Sequence, residues 1–512
     1  MQVGNPDRED GAVYSLFRTK SIDALVDESE HAKNRLQRTL GPWSLTAFGV
    51  GAVIGSGIFI ITGTAAAGES FHYESVLHAP ILDLLRHGFS ATSLTGRLGA
   101  GPGVALSFLL TAIVCGFAAL CYAELASMIP IAGSAYTYAY ASLGEVIAWI
   151  IGWDLILEYA VSNMAVAVGF SAYLSDSLEG IFGIHLPAKL AGPIFAEGKL
   201  TGNWFNLPAF LIIMILSYVL SRGIRESASA NNVMVVVKVA AIVVFIVGAA
   251  RAVNTENWHP FLPNGFSGVV TGSAIVFFTY IGFDSVSTTA EECKRPQRDL
   301  PIGIIATLII CAFLYVAVAL VLTGIADYKT LNNAAPVANA LKDLGYDNVR
   351  RIVGLGALFG IVSSLMVYQY GQTRIWFAMS RDGLLPGVFS QVDPRFHTPY
   401  LSTWIAAAIV GIPAGVWDIG TFADLANIGT LFAFVVVSAG VIVLRRKQPA
   451  RPRGFKVPFA PLTPLIAIAA CVGLMVALPL ETWLRFIVWL AVGLAIYRLY
   501  GRTHSRLAQP GN

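Results

Sequence analysis

The stretch Thr46-Ala-Phe-Gly-Val-Gly-Ala-Val-Ile-Gly-Ser-Gly-Ile-Phe59 is apolar enough to lie in a bilayer, yet it holds four glycines in nine positions, at 49, 51, 55 and 57. Each interior glycine costs a helix about 1 kcal/mol relative to alanine, so unwinding here is cheap. Backbone amides and carbonyls freed in hydrocarbon must find partners, and such backbone is tolerated only where it is buried in protein or lines a cavity. A bound ligand can supply those partners. Close helix packing through Gly51 and Gly55, spaced as small-xxx-small, is the competing reading of the same residues.

A second interrupted stretch shifts the balance. Residues 272–285 read Gly-Ser-Ala-Ile-Val-Phe-Phe-Thr-Tyr-Ile-Gly-Phe-Asp-Ser, with a glycine at 282 and an ionisable Asp284 inside an apolar run. If the first ten hydrophobic stretches form two halves of five, the two interrupted helices occupy corresponding positions, which points to an inverted-repeat transporter with its site at the membrane midplane. A half-helix starting at Ser56 and Gly57 presents free N–H groups and a positive dipole end to an anion, and half-helices ending near Val53 and Phe278 present carbonyls to a cation. Together they suit a zwitterionic α-amino acid.

Composition agrees on the medium. Of 512 residues, 55% are hydrophobic and only 13% charged, about half the charge of an ordinary soluble chain. Too few polar side chains remain to solvate a globule of this size. Crossing about 30 Å of hydrocarbon takes roughly 20 apolar residues, and a dozen such stretches are expected near 43–67, 102–124, 145–176, 205–222, 230–251, 267–291, 300–326, 350–377, 399–417, 421–444, 458–478 and 482–499. They divide the chain into an N-terminal segment 1–42, five-helix halves 43–251 and 267–444, two further helices within 458–499, and a tail 500–512.

An even number of crossings puts both termini on one side. Lysines and arginines are about twice as frequent in the loops of that side, as at Lys294, Arg295 and Arg298 or Arg445, Arg446 and Lys447, so the termini are expected in the cytoplasm of a multi-pass plasma-membrane protein. The loop from Glu124 to Glu145 runs against this trend, with no Lys or Arg; it reads as a short surface segment. Residues 1–39 carry no apolar core ahead of a cleavage site and do not look like a secretory signal. A net charge of +3 spread over many loops argues against a nucleic-acid partner. The five cysteines show no metal or redox spacing and read as inert buried thiols. Between 68 and 101, apolar residues at Leu77, Ile81, Leu84, Leu85 and Phe89 predict a small amphipathic surface helix. His72, His78 and His87 in that loop do not share a helical face, so no metal is expected there.

Three ionisable groups sit deep in apolar runs: Glu158, Lys238 and Asp284. Intramembrane charges usually face the bundle interior and serve function. Lys238 reads as a cation pairing with the freed carbonyls of the first helix in place of a sodium ion, or as a lysine snorkelling to the headgroups. Glu158, with Asp154 on the same face four residues earlier, reads as a proton carrier or substrate contact, or as a carboxyl satisfied by neighbouring helices. Asp284 could also cap the second half-helix. Glu291 and Glu292 end that helix and read as a solvated end, with gating salt bridges as the alternative.

The stretches Gly51-Ala-Val-Ile-Gly-Ser-Gly-Ile-Phe59, Gly152-Trp-Asp-Leu-Ile-Leu-Glu-Tyr159, Phe277-Phe-Thr-Tyr-Ile-Gly-Phe-Asp284 and Ser380-Arg-Asp-Gly-Leu-Leu-Pro386 resemble the amino acid, polyamine and organocation superfamily. Over nearly the whole chain the sequence looks like a bacterial member of its cationic amino acid transporter family. The resemblance implies an all-α, LeuT-type fold of 5+5 inverted repeats with two added helices, and transport by alternating access. It implies a substrate site at Val53, Ile54, Gly55, Ser56 and Gly57 of the first helix and Phe278, Thr279, Ile281 and Asp284 of the sixth. The carboxylate would rest on the backbone of Ser56 and Gly57, the amine near the carbonyls of Val53, Phe278 and Ile281. Lys238 would stand at a second sodium position, implying protons instead of sodium as coupling ion, and Glu158 matches the third-helix acid. The loop after Ala67 is longer than the family pattern. The expected activity is proton-coupled amino acid symport, with no cofactor, no enzymatic chemistry and no soluble partner; an amino acid or polyamine exchanger is the alternative, and a sensor or channel a remote one.

Overall fold

A computed structural model describes residues 18–23, 25, 38, 40–69, 97–131, 133–196, 199–222, 225–333, 335–396 and 398–508. The predicted amphipathic helix at 75–89 and the three loop histidines lie outside the described residues.

The described chain is helical almost throughout. Its helices of eight residues or more are α1 (Pro42–Val53), α2 (Ser56–Ala67), α3 (Val104–Met128), α4 (Ser134–Ser142), α5 (Glu145–Phe182), α6 (Leu207–Arg222), α7 (Arg225–Ala249), α8 (Gly265–Val276), α9 (Pro296–Ile325), α10 (Pro336–Asp343), α11 (Asp347–Arg381), α12 (Tyr400–Val416), α13 (Ile419–Lys447), α14 (Leu462–Val476) and α15 (Leu480–Ile496). Among the described residues, eight apolar helical stretches are long enough to cross a bilayer, and α1 with α2 make a ninth, bent by 46° at its break. Three shorter apolar helices, α6, α12 and α14, stand where three further spans are expected. This is the all-α polytopic membrane fold the sequence predicts.

Local chemistry sets the broken elements. Gly41 precedes α1 and Pro42 opens it, where a missing N–H costs nothing. Gly55 stands before α2, with no side chain to cap the new helix. Beyond α8 the chain winds as 3-10 helix over Phe277–Tyr280 and again over Phe283–Glu292, with Gly282 between them at φ 116°. The tighter winding suits its hydroxyls: Ser285, Ser287, Thr288 and Thr289 each donate to the carbonyl three residues earlier, at 2.5–2.8 Å.

The long helices pack around these two breaks, α9 along α3 and α1, α11 and α13 along α5, and α7 against α11. Arg18 and Leu507, near the two ends of the described residues, meet on one face, where the Arg18 guanidinium donates to the Leu507 carbonyl at 2.9 Å; we call it the terminal face. On the opposite face a short antiparallel pair joins Gly68–Glu69 to Arg97–Leu98. There Arg97 is buried in ion pairs with Glu69 and, at 2.9 Å, with Asp424 at the start of α13.

One expectation fails. The segment after α3 is not a surface loop: α4 is buried along its whole length, with Tyr136, Tyr138 and Tyr140 at 1% exposure or less. Lys20 and Asp382, both remote in the chain, close over it. Lys20 N donates to Tyr140 O at 3.3 Å, and the Lys20 ammonium and the Tyr136 hydroxyl share the Asp382 carboxylate, at 3.0 and 2.6 Å. The covering residues lie more than a hundred positions away on one side and hundreds on the other, and no local pattern announces such cover.

Candidate functional site

At the end of α1, Ile54 leaves helical geometry with ψ near 90°, and the carbonyls of the last turn lose their helical partners. Lys238 on α7 meets them. Its ammonium donates to Gly51 O at 2.6 Å, to Ile54 O at 2.7 Å and to Ser363 Oγ on α11 at 2.8 Å. All three donors of the ammonium are used. The charge also complements the negative end of the α1 dipole. The side chain is fully buried, so it does not snorkel, and Gly360 leaves room for its stem, since a Cβ there would stand 3.1 Å from the lysine Cβ and Cδ. Ser364 adds a hydroxyl bond to Gly51 O at 2.9 Å.

One residue later α2 begins. Its first-turn amides at Ser56 and Gly57 point along the helix with no capping side chain behind them, the arrangement that binds anions at helix N-termini. The Ser56 hydroxyl is buried without a hydrogen-bond partner among the described residues.

The two breaks lie directly against each other. A Cβ at Gly57 would fall 2.9 Å from Thr279 Cγ2 and 3.1 Å from Thr279 Cα, and one at Gly282 would fall 2.9 Å from Ala52 Cβ and 3.3 Å from Val53 N. Only glycine allows this approach, whatever helix packing it also serves. Tyr315 on α9 bridges the breaks, its hydroxyl 2.9 Å from both Val53 O and Thr279 O. Tyr368 on α11 donates to Ile281 O at 3.0 Å. Thus two of the three carbonyls expected to receive an amine, those of Val53 and Ile281, each carry a tyrosine hydrogen bond, while Phe278 O accepts from Ile281 N at 3.3 Å. Sequence reasoning missed Tyr315, Tyr368 and the Ser363–Ser364 pair; single hydroxyls inside the apolar runs of α9 and α11 were the available signal.

Asp284 follows the second break and accepts from Gly282 N at 3.3 Å, whereas the 3-10 helix in whose first turn it lies has no side-chain cap bond. Glu158 on α5 is buried within electrostatic reach of Asp284 and Asp154. It lies eight residues before Val166, whose side chain neighbours Gly55, which sets it about 12 Å toward the terminal face from the break. So Glu158 and Asp284 lie within reach of each other, and Lys238 stands apart from them beside the α1 end. Glu292 is not a freely solvated end: half-buried, it accepts from the Tyr370 hydroxyl at 3.0 Å, while its backbone carbonyl receives Leu40 N.

What this arrangement can do chemically is bind a small molecule carrying both charges, between amide donors of α2 and carbonyls of the two breaks. Relatives of the sequence agree with that capacity. The pattern of a family described as amino acid permease matches residues 40–496. The methylthioribose transporter of Bacillus subtilis is 45% identical over 96% of this chain and 99% of its own length. The branched-chain amino acid permease of the same organism is 45% identical over 97% and 99%. The chloroplastic cationic amino acid transporter 9 of Arabidopsis thaliana is 33% identical over 96% and 93%.

Proposed function

This chain belongs to the amino acid permease family, and from that premise we propose that it imports an α-amino acid through the plasma membrane together with a proton, by alternating access. The reading rests above all on the paired breaks: the amide end of α2 and the carbonyl ends around Val53 and Phe278 meet within one buried site. The substrate carboxylate rests on the amides of Ser56 and Gly57, and its ammonium on the carbonyls of Val53, Phe278 and Ile281 after the tyrosine hydroxyls yield. Both charges then rest on backbone dipoles held in place at the breaks.

Lys238 supplies the coupling. As an ammonium it holds the Gly51 and Ile54 carbonyls; on losing its proton it keeps fewer donors and no charge, and the α1 end is freed to move. A proton therefore does the work that a sodium ion could do at the same carbonyls. The five-helix halves 43–251 and 267–444 rock about the breaks, with the terminal face, richer in lysine and arginine, in the cytoplasm.

The similarity to a methylthioribose transporter favours a second reading, a thiosugar substrate. Uptake by purified protein in proteoliposomes separates the two. A panel of radiolabelled L-amino acids, with unlabelled methylthioribose as competitor, should show saturable uptake of at least one amino acid that rises with an inward proton gradient. Uptake of methylthioribose with none of any amino acid would overturn the proposal, and counterflow independent of the gradient would make the protein an exchanger.

A further inference from the structure

Between the breaks and the terminal face lies a group of buried polar side chains that the backbone contacts of the central site do not use. Asp154 and Glu158 stand one turn apart on α5, both buried, and Asp154 abuts the backbone of α13, where a Cβ at Gly429 would meet its Oδ1 at 2.7 Å. Both Asp154 oxygens and Glu158 Oε2 lack a hydrogen-bond partner among the described residues. None of Asp154, Glu158 and Asp284 has a lysine, arginine or histidine within ion-pair distance there.

Two buried hydroxyls lie near Glu158 and Asp284. The hydroxyls of Tyr122 on α3 and Tyr159 on α5 are buried and likewise unpartnered, and each lies within electrostatic reach of both Glu158 and Asp284. Buried polar atoms without partners are rare and call for an explanation. Here unpaired acceptors and unpaired donors lie in one buried neighbourhood. Acceptors alone would suit a cation, and donors alone an anion.

Resting on the amino acid reading above, we propose that Asp154, Glu158, Tyr122 and Tyr159 form a second, inner subsite that takes the zwitterionic head group after it leaves the breaks for the cytoplasm. The carboxyls receive the ammonium and the tyrosine hydroxyls receive the carboxylate. The central site binds through backbone and the inner one through side chains, so a substrate can pass between them without exposing either charge to hydrocarbon. The subsite is on the cytoplasmic side of the breaks, and its loss acts on one side of the membrane.

The test compares half-saturating concentrations on the two sides in proteoliposomes of known orientation, using whichever of radiolabelled L-leucine, L-alanine or L-lysine the wild type carries. Asp154→Asn and Tyr122→Phe should each raise the internal value about tenfold, with the external value moving less than about twofold. Asp154→Glu should recover part of the loss. Tyr122→Phe removes one oxygen atom only, which guards against a folding failure in the Asp154 variant. Equal shifts on both sides, no shift on either, or a change in proton dependence alone would overturn the subsite while leaving the central site intact. A wild type that carries no amino acid would instead sink the transport reading and this inference with it.

Discussion

Lys238 and Ile54 stand 2.7 Å apart, ammonium to carbonyl oxygen, although 184 residues separate them in the chain. Ile54 is where the first span unwinds, so the lysine holds the loose end of a broken helix. The glycines beside that joint set how closely the second break can approach it.

Gly282 adopts φ 116°, and a Cβ there would press on Ala52 and the amide of Val53. Gly282→Ala therefore combines backbone strain with overpacking and is expected to cost about 1–3 kcal/mol. A drop of several degrees in the thermal unfolding midpoint in detergent, together with loss of uptake, checks this. An unchanged midpoint would mean the breaks do not touch.

The Tyr315 hydroxyl serves the carbonyls of both breaks. Tyr315→Phe leaves one of them without a donor inside the protein, at about 1–3 kcal/mol. Because the substrate ammonium displaces that hydroxyl, the external half-saturating concentration should fall about fivefold or more. A wild-type value would remove Tyr315 from the site.

Much of this was legible in the sequence for a definite reason. Hydrophobic runs fix spans because the bilayer fixes their length, and the glycines at 49, 51, 55 and 57 mark a break because their backbone cost is local. Lys238 was readable as a partner of the first-helix carbonyls or as a snorkelling lysine, and its bonds to Gly51 O and Ile54 O choose between the two. Long-range cover was not legible. Tyr136 and Tyr140 look like loop residues until the Asp382 carboxylate and Lys20 close over them. The tyrosines at 315 and 368 were equally hidden, because one hydroxyl in an apolar helix says nothing of which carbonyl it will find.

Glu124 at the end of α3 is 1% exposed and accepts from Arg445 Nε at 2.9 Å, Arg453 Nε at 3.0 Å and Val457 N at 2.7 Å. Removing the carboxylate strands two guanidinium groups and an amide. Glu124→Ala should cost about 3–5 kcal/mol, read as a lower unfolding midpoint; if the midpoint holds, the segment after α13 is not docked through this residue.

Cys293 pairs through its backbone bridge with Leu40, just ahead of α1. Burial pushes its thiol up to about 11, so little thiolate exists near neutrality, and maleimide labelling should be slow and rise about tenfold per pH unit from 7 to 9. Conditions that part Leu40 from the end of the second break should speed it further. Peptide mapping distinguishes Cys293 from the four other buried cysteines. Fast labelling at pH 7 in every condition would show that this joint stays open.

Uptake by wild-type and Lys238→Met proteoliposomes, with and without an inward proton gradient, tests the coupling role of the lysine most directly. Methionine keeps the bulk of the stem and removes the charge that holds Gly51 and Ile54. The wild type should show gradient-stimulated uptake of an L-amino acid, and the variant at least a tenfold loss of that stimulated uptake, as expected for charged hydrogen bonds worth about 1.5–3 kcal/mol each. Gradient-driven uptake at the wild-type rate in Lys238→Met protein would contradict a coupling role for Lys238.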